Sequence, residues 1–78
     1  MSEADTMFEE LGYKKGENIT QKGEIWGEHY INKYSEIIKF DFEDKQVCCY
    51  VLSEPSGAMY FNMQELQAIN QKCKDNNN

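Results

Sequence analysis

The most reactive side chains of this chain near neutral pH are one histidine and three cysteines, namely His29, Cys48, Cys49 and Cys73. A cysteine nucleophile needs a neighbouring base, so Cys49 with His29 is the one pairing that could support nucleophilic catalysis. In the predicted strand register the two side chains approach each other only on the buried side of the sheet, beneath a helix. A packed core histidine is the simpler interpretation. The sequence therefore predicts no catalytic residues and no enzyme activity.

The same residues do not suggest a metal or cofactor site. Zinc sites need several cysteines or histidines at short spacing, and the adjacent residues Cys48 and Cys49 would point to opposite faces of a strand. Residues 41–45 (DFEDK) contain three acids but lack the glycine and ligand pattern of a calcium loop. The glycines lack the Lys-Ser/Thr step of a phosphate-binding loop. We expect no metal, no cofactor and three reduced thiols.

The charge of the chain argues against several classes of partner. The 78 residues include 14 acids and 8 lysines, no arginine, and a net charge of −6. Without a guanidinium fork, direct binding to nucleic acid is not expected, and an anionic membrane surface would repel the chain. The acidic N-terminus lacks the apolar core of a signal peptide, and no apolar run approaches the roughly 20 residues that span a bilayer. We expect a cytoplasmic location.

Helix signals occur near the N-terminus. Thr6 begins a capping-box pattern and is the predicted helix start, with an earlier start capped by Ser2 as an alternative. Gly12 suits the left-handed position that follows a helix, which would let Tyr13 fold back onto Phe8.

A second helix is predicted near the C-terminus. Asn62 is a suitable N-cap, and Glu65 completes a capping-box-like pair. The predicted buried stripe of this helix consists of Met63, Leu66, Ile69 and Cys73. We assign residues 1–73 to a single domain and residues 74–78 to a disordered polar tail.

The middle of the chain has the alternation of β-strands. Strands are predicted at residues 24–31, 36–43 and 46–53, with a short fourth strand at 58–61 after a turn at 54–57. Residues 14–23 are interpreted mainly as a connection, with a short strand inside it as the alternative. The order predicts an α+β fold, in which a three- to four-stranded antiparallel meander is flanked by an N-terminal and a C-terminal helix in two layers.

Strand register decides which side chains share a face. A two-residue turn at Asp44 and Lys45 would set Phe40 opposite Cys49, and a short loop at 32–35 would set His29 opposite Ile38. The other face is then a candidate interaction surface, consisting of Trp26, Tyr30, Ile37, Tyr50 and Leu52. Two other interpretations remain open: the first helix covers this face, or its aromatic pairs simply stabilise the sheet.

Two segments resemble a known group of proteins. Residues 7–13 (MFEELGY) resemble the opening of many short phage and prophage proteins of low-GC Gram-positive bacteria. Residues 63–70 (MQELQAIN) resemble their closing helix, although an Asn-rich tail here replaces the usual ending. These proteins share a helix–hairpins–helix order and have no assigned activity. The resemblance implies a phage-type origin and no site residues.

Together these observations predict a small non-catalytic protein-interaction (accessory) protein that is phage-encoded and acts in the host cytoplasm. Its partner would be another protein or a second copy of itself, as a homodimer. The alternative is an acidic inhibitor of a host nucleic-acid-binding enzyme or defence system, of the nucleic-acid-mimic, anti-restriction or anti-CRISPR type. That alternative follows from the net charge of −6.

Overall fold

The computed structural model describes residues 2–54 and 59–76 of the chain. Its elements are α1 (Glu3–Glu10), β1 (Lys14–Ile19), β2 (Ile25–Ile31), β3 (Glu36–Asp41), β4 (Gln46–Val51) and α2 (Met63–Asn76). The strands form one antiparallel sheet in the order β1-β2-β3-β4. Both helices contribute to a core on one side of that sheet. The predicted two-layer α+β fold is confirmed.

Helix α1 begins one turn earlier than the predicted start at Thr6. Ser2 is the N-cap, and its hydroxyl accepts a hydrogen bond from the Asp5 backbone N–H at 3.1 Å. At the other end the prediction is confirmed. Gly12 has φ 90°, and the N–H of Tyr13 donates to the Phe8 carbonyl at 3.0 Å. The Tyr13 ring then meets the Phe8 ring edge-on, with centroids 5.6 Å apart.

Helix α2 starts with the predicted capping box. The Glu65 N–H donates to Asn62 Oδ1 at 2.8 Å, and the Asn62 N–H donates to Glu65 Oε1 at 3.0 Å. The helix continues to Asn76, past the predicted domain end at residue 73 and into the segment predicted to be a disordered tail.

The buried side of α2 differs from the predicted stripe. Ala68 and Lys72 are buried, and Ile69 and Cys73 pack against the core. Met63 and Leu66 were expected to face inward, but they are 73% and 47% exposed. The sequence pattern favoured large apolar side chains, whereas the residue that α2 contributes to the fully buried core is the small Ala68.

The fourth strand is β1, and it precedes the other three. Residues 14–23 were interpreted mainly as a connection, but Lys14–Ile19 pairs along its length with β2. An edge strand needs few apolar residues, which explains why this polar segment was interpreted mainly as a connection. The strand predicted at 58–61 is wrong for residues 59–61, which are not in a strand. The turn predicted at 54–57 lies largely outside the described residues.

The register between β2 and β3 differs from the prediction by one residue. Tyr30, not His29, lies opposite Ile38, and Glu28 lies opposite Phe40. The connecting turn sets this register: Asn32 Oδ1 accepts the Glu36 N–H at 3.1 Å, and Ser35 adopts φ 62°. A one-residue shift exchanges the two faces of a strand. Tyr30 therefore points to the helices and His29 away from them.

The register between β3 and β4 differs from the prediction by two residues. Ile38 lies opposite Cys49 and Phe40 opposite Val47. The cause is a four-residue loop at 42–45 in place of a two-residue turn. Asp41 Oδ1 stabilises this loop by accepting the N–H groups of Glu43 and Asp44 at 3.0 Å each. An even shift leaves every side chain on its predicted face.

A β-bulge interrupts the pairing of β1 with β2. Asn18 pairs with Gly27 and Ile19 pairs with Ile25, so Trp26 is the extra residue. Beside the bulge the backbone of β3 approaches Gly27 closely, and a Cβ atom there would overlap the carbonyl oxygen of Phe40. Gly27 is therefore needed for this close approach of backbones.

We predict that Gly27→Ala lowers the free energy of unfolding by about 2 kcal/mol, because the Phe40 carbonyl belongs to the sheet and cannot move away cheaply. Gly23→Ala is the matched control: Gly23 has φ 85° but open space around it, so only backbone strain of about 1 kcal/mol is expected. Urea unfolding followed by circular dichroism measures both. Equal losses would contradict the steric role of Gly27.

Candidate functional site

The sheet has one side that neither helix occupies. We call this side the open face, and its residues are Trp26, His29, Ile37, Lys39, Cys48 and Tyr50. Lys39 lies opposite His29 and Cys48, and Ile37 lies opposite Tyr50. Strand alternation places these residues on the side of the sheet away from Tyr30, Ile38 and Phe40. Within residues 2–54 and 59–76, the core residues of both helices cluster with Tyr30, Ile38 and Phe40 on that other side.

The centre of the open face is a lysine between two aromatic rings. Lys39 Nζ lies 5.8 Å from the centroid of the Trp26 ring and 5.7 Å from that of Tyr50. Both distances suit a cation–π contact. The bulge explains the position of Trp26: regular alternation would turn it toward the helices with Glu28 and Tyr30, yet its ring lies beside Lys39.

The predicted interaction residues are only partly brought together. Trp26, Ile37 and Tyr50 lie on the open face. Tyr30 was expected there, but it is 1% exposed and stacks on Phe8, so its placement was wrong. Leu52 follows β4, is 52% exposed, and donates its N–H to the Ser35 carbonyl at 3.0 Å.

The structure separates Cys49 and His29, the one pairing that could have supported nucleophilic catalysis. His29 lies on the open face and Cys49 on the helix side, so the sheet stands between the two side chains. His29 was interpreted as a core histidine, but it is half-buried, covers Gly16 and bonds through Nδ1 to Asn18 Oδ1 at 2.9 Å. Burial raises the pKa of the Cys49 thiol, which disfavours the nucleophilic thiolate.

The helix side carries a compact network of charged groups. Lys15 Nζ lies 3.1 Å from Asp5 and 2.8 Å from Glu28, and Lys72 forms an ion pair with Glu28. Asp5 also accepts a hydrogen bond from the Tyr30 hydroxyl at 2.5 Å. The network joins α1, β1, β2 and α2, and its two acids balance its two lysines. It acts as a structural brace rather than a reactive centre.

The ionisation of the network follows from these contacts. Burial opposes the charge on Asp5, but the hydrogen bonds from Tyr30 and Lys15 and the two lysine charges outweigh it. They lower the pKa of Asp5 from 3.8 to about 2. Burial likewise opposes the charge on Glu28, yet Lys15 and Lys72 lower the pKa of that carboxyl. Burial and the bond to Asp5 raise the pKa of the Tyr30 hydroxyl.

The helix side also has clefts that could hold a small ligand. A cleft of about 330 Å³ opens on the helix side between the 42–45 loop and the end of α2, with Phe40, Phe42, Val47 and Cys73 in its wall. Among the described residues no three His, Cys, Asp or Glu side chains are placed to hold a metal ion. In that same part of the chain, no helix combines the length and apolarity needed to cross a membrane.

Two residues that define these sites escaped sequence reasoning. Lys39 alternates with Ile38 and Phe40, so its place on the opposite face could be read from the strand pattern, but its position between Trp26 and Tyr50 depends on the bulge. Lys72 gives no signal at all, because a lysine in a helix is normally solvated. Here it is 4% exposed.

The fold and this surface define a class of protein: a small two-layer α+β protein with one side of its sheet left open. Comparison with protein families, with characterised proteins and with solved structures finds no match.

We predict that acid destabilises the wild-type protein more than the Asp5→Asn variant. The pKa of Asp5 is lowered in the folded state, so its contribution is complete above about pH 4 and is lost as the pH falls toward 2. The free energy of unfolding in urea should therefore fall more steeply over this range in the wild type. Glu3→Gln, which removes an exposed acid of the same helix, is the control and should keep the wild-type slope. Parallel slopes for wild type and Asp5→Asn would refute this role.

Proposed function

We propose that this chain is a small non-catalytic interaction protein, phage-encoded and acting in the host cytoplasm, that binds another protein through its open face. The observation that carries the proposal is the Trp26–Lys39–Tyr50 arrangement on a side of the sheet that neither helix occupies. Tryptophan and tyrosine are enriched at the energetically dominant positions of protein interfaces. The phage origin is supported only by the resemblance of residues 7–13 and 63–70.

One competing explanation of this face is removed by the position of the helices. The sequence left open that the first helix covers it, but α1 packs on the other side through Phe8, whose ring lies 4.0 Å from that of Tyr30. Stabilisation of the sheet by the rings themselves remains the competing interpretation. The two interpretations predict different results when a ring is removed. If the face binds a partner, binding is lost even in a variant whose stability is unchanged.

The chemistry of the open face indicates the kind of partner. Ile37 also lies on this side of the sheet but is only 7% exposed, and its cross-strand partners are Ile31 and Tyr50. Lys39 adds a positive charge beside the rings in a protein whose net charge is −6. A partner that inserts an apolar side chain next to a carboxylate would be complementary to this arrangement.

The acidic-inhibitor alternative has less support. A mimic of nucleic acid needs its acids in a continuous strip, whereas here two acidic pairs lie at opposite ends of the sheet, and Asp5 and Glu28 are paired with lysines. Glu9 and Glu10 end α1 next to the start of β1, and Glu43 and Asp44 lie in the loop after β3 at the opposite end. The open face between those ends carries Lys39.

The test is quantitative capture from a lysate of a low-GC Gram-positive host, with partners identified by mass spectrometry. Trp26→Ala and Tyr50→Ala should each reduce capture of a specific partner by about tenfold or more, as loss of a dominant interface side chain does. Tyr60→Ala is the matched control, because Tyr60 is 87% exposed and precedes α2. Capture that all three variants leave unchanged would exclude the open face as the binding surface.

A further inference from the structure

The two edges of the sheet differ in their protection against strand addition. The edge strand β1 carries Lys14, Lys15 and Glu17, and such charges discourage another strand from pairing. The other edge strand, β4, has the sequence QVCCYV without a charge, and the uncharged stretch extends through Ser53. Val47 and Cys48 are exposed on it. An unprotected β-rich edge of this kind is a template for pairing.

The backbone groups available at this edge can be assigned. The Leu52 N–H donates to the Ser35 carbonyl at 3.0 Å, so alternate residues of β4, including Tyr50 and Cys48, direct their backbone groups toward β3. Val47, Cys49 and Val51 therefore direct theirs outward. The Val51 carbonyl accepts the Glu54 N–H at 3.1 Å, and Glu54 is the only described residue that pairs with this edge.

We propose that β4 pairs antiparallel with β4 of a second copy of this chain, which joins two sheets into one of eight strands. Antiparallel pairing of identical strands is symmetric about a two-fold axis and therefore closes as a dimer. With the Val51 carbonyl already engaged, the free groups of Val47 and Cys49 pair with Cys49 and Val47 of the second copy. Cys48 then lies opposite Cys48 of that copy.

A second copy suits this edge because its apolar side chains complement one another in antiparallel pairing and the strand carries no acid to oppose its counterpart. Each copy carries −6, so association requires a contact without opposed acids, and the strand at 46–53 provides one. On the helix side, Val47, which is 40% exposed, gains an apolar neighbour in Cys49 of the other copy. The two open faces become continuous, each with its Tyr50 near the new junction.

Edge pairing buries little surface, so the dimer should be weak and dependent on concentration. Size-exclusion chromatography with light scattering from about 10 μM to about 1 mM should show a shift from monomer toward dimer for the wild type. Val47→Pro removes an outward N–H without removing a bond to β3, and Val47→Lys adds an edge charge; both should remain folded by circular dichroism and monomeric throughout. Ile19→Lys, on the far edge and also exposed, is the matched control and should still dimerise.

Crosslinking with a short bismaleimide tests the register. The test variant, Cys49→Ser/Cys73→Ser, retains only Cys48. In the control variant all three cysteines are replaced by serine and Gln21→Cys is added. The test variant should give several times more crosslinked dimer than the control. Gln21 is exposed in the β1–β2 loop and reports random collision. Equal crosslinking, or a wild-type protein that stays monomeric at the highest concentration, would overturn the proposal.

These outcomes are separate from those for the open face. A dimer abolished by Tyr50→Ala but retained by Val47→Pro and Val47→Lys would overturn edge pairing and assign self-association to the open face. If the edge-pairing experiments fail but capture of a partner still depends on Trp26, the proposed function is retained and only the dimer is excluded.

Discussion

The contact of Tyr30 with α1 is the interaction on which the rest of the structure depends. The Tyr30 ring stacks on Phe8 with centroids 4.0 Å apart, and its hydroxyl donates to Asp5 at 2.5 Å. Asp5 and Phe8 are one helical turn apart, so one side chain of the sheet meets two of the helix. Phe40 meets both Phe8 and Tyr30 edge-on. This aromatic cluster gives a chain of 78 residues a core of useful size.

The buried hydroxyl of Tyr30 needs an acceptor, which places the Asp5 carboxylate at the boundary of the core. The charged network forms around that carboxylate. Asp5 needs a counter-charge, which Lys15 supplies, and Glu28 in turn binds both Lys15 and the buried Lys72. Lys72 Nζ also lies 5.7 Å above the Tyr30 ring. Breaking one member of such a network leaves another buried charge uncompensated, so the four groups hold α1 and α2 on the same side of the sheet.

Both helices pack on one side of the sheet, which leaves the other side open. A chain of this size has no third element to cover it within the described residues. The open face is therefore a consequence of the same packing that builds the core, and the bulge at Trp26 adds an aromatic ring to it. The uncharged edge at β4 adjoins this face through Tyr50. Surface and edge together distinguish this protein from a plain two-layer α+β domain.

The sequence by itself determined the local features. Gly12 and Tyr13 ended α1, Asn62 and Glu65 started α2, and the alternation of Ile38 and Phe40 identified the central strand, because each of these signals involves residues within a few positions of one another. Register was decided by the tertiary structure. One face of β2 carries Ile25 and His29, and the other carries Tyr30 and, by regular alternation, Trp26. Both groups mix apolar and polar side chains, so alternation alone does not determine which face of β2 points to the core. The Asn32 turn and the stacking of Phe8 on Tyr30 made that choice. Burial of Lys72 likewise depended on Glu28, 44 positions away in the chain, which no local pattern can specify.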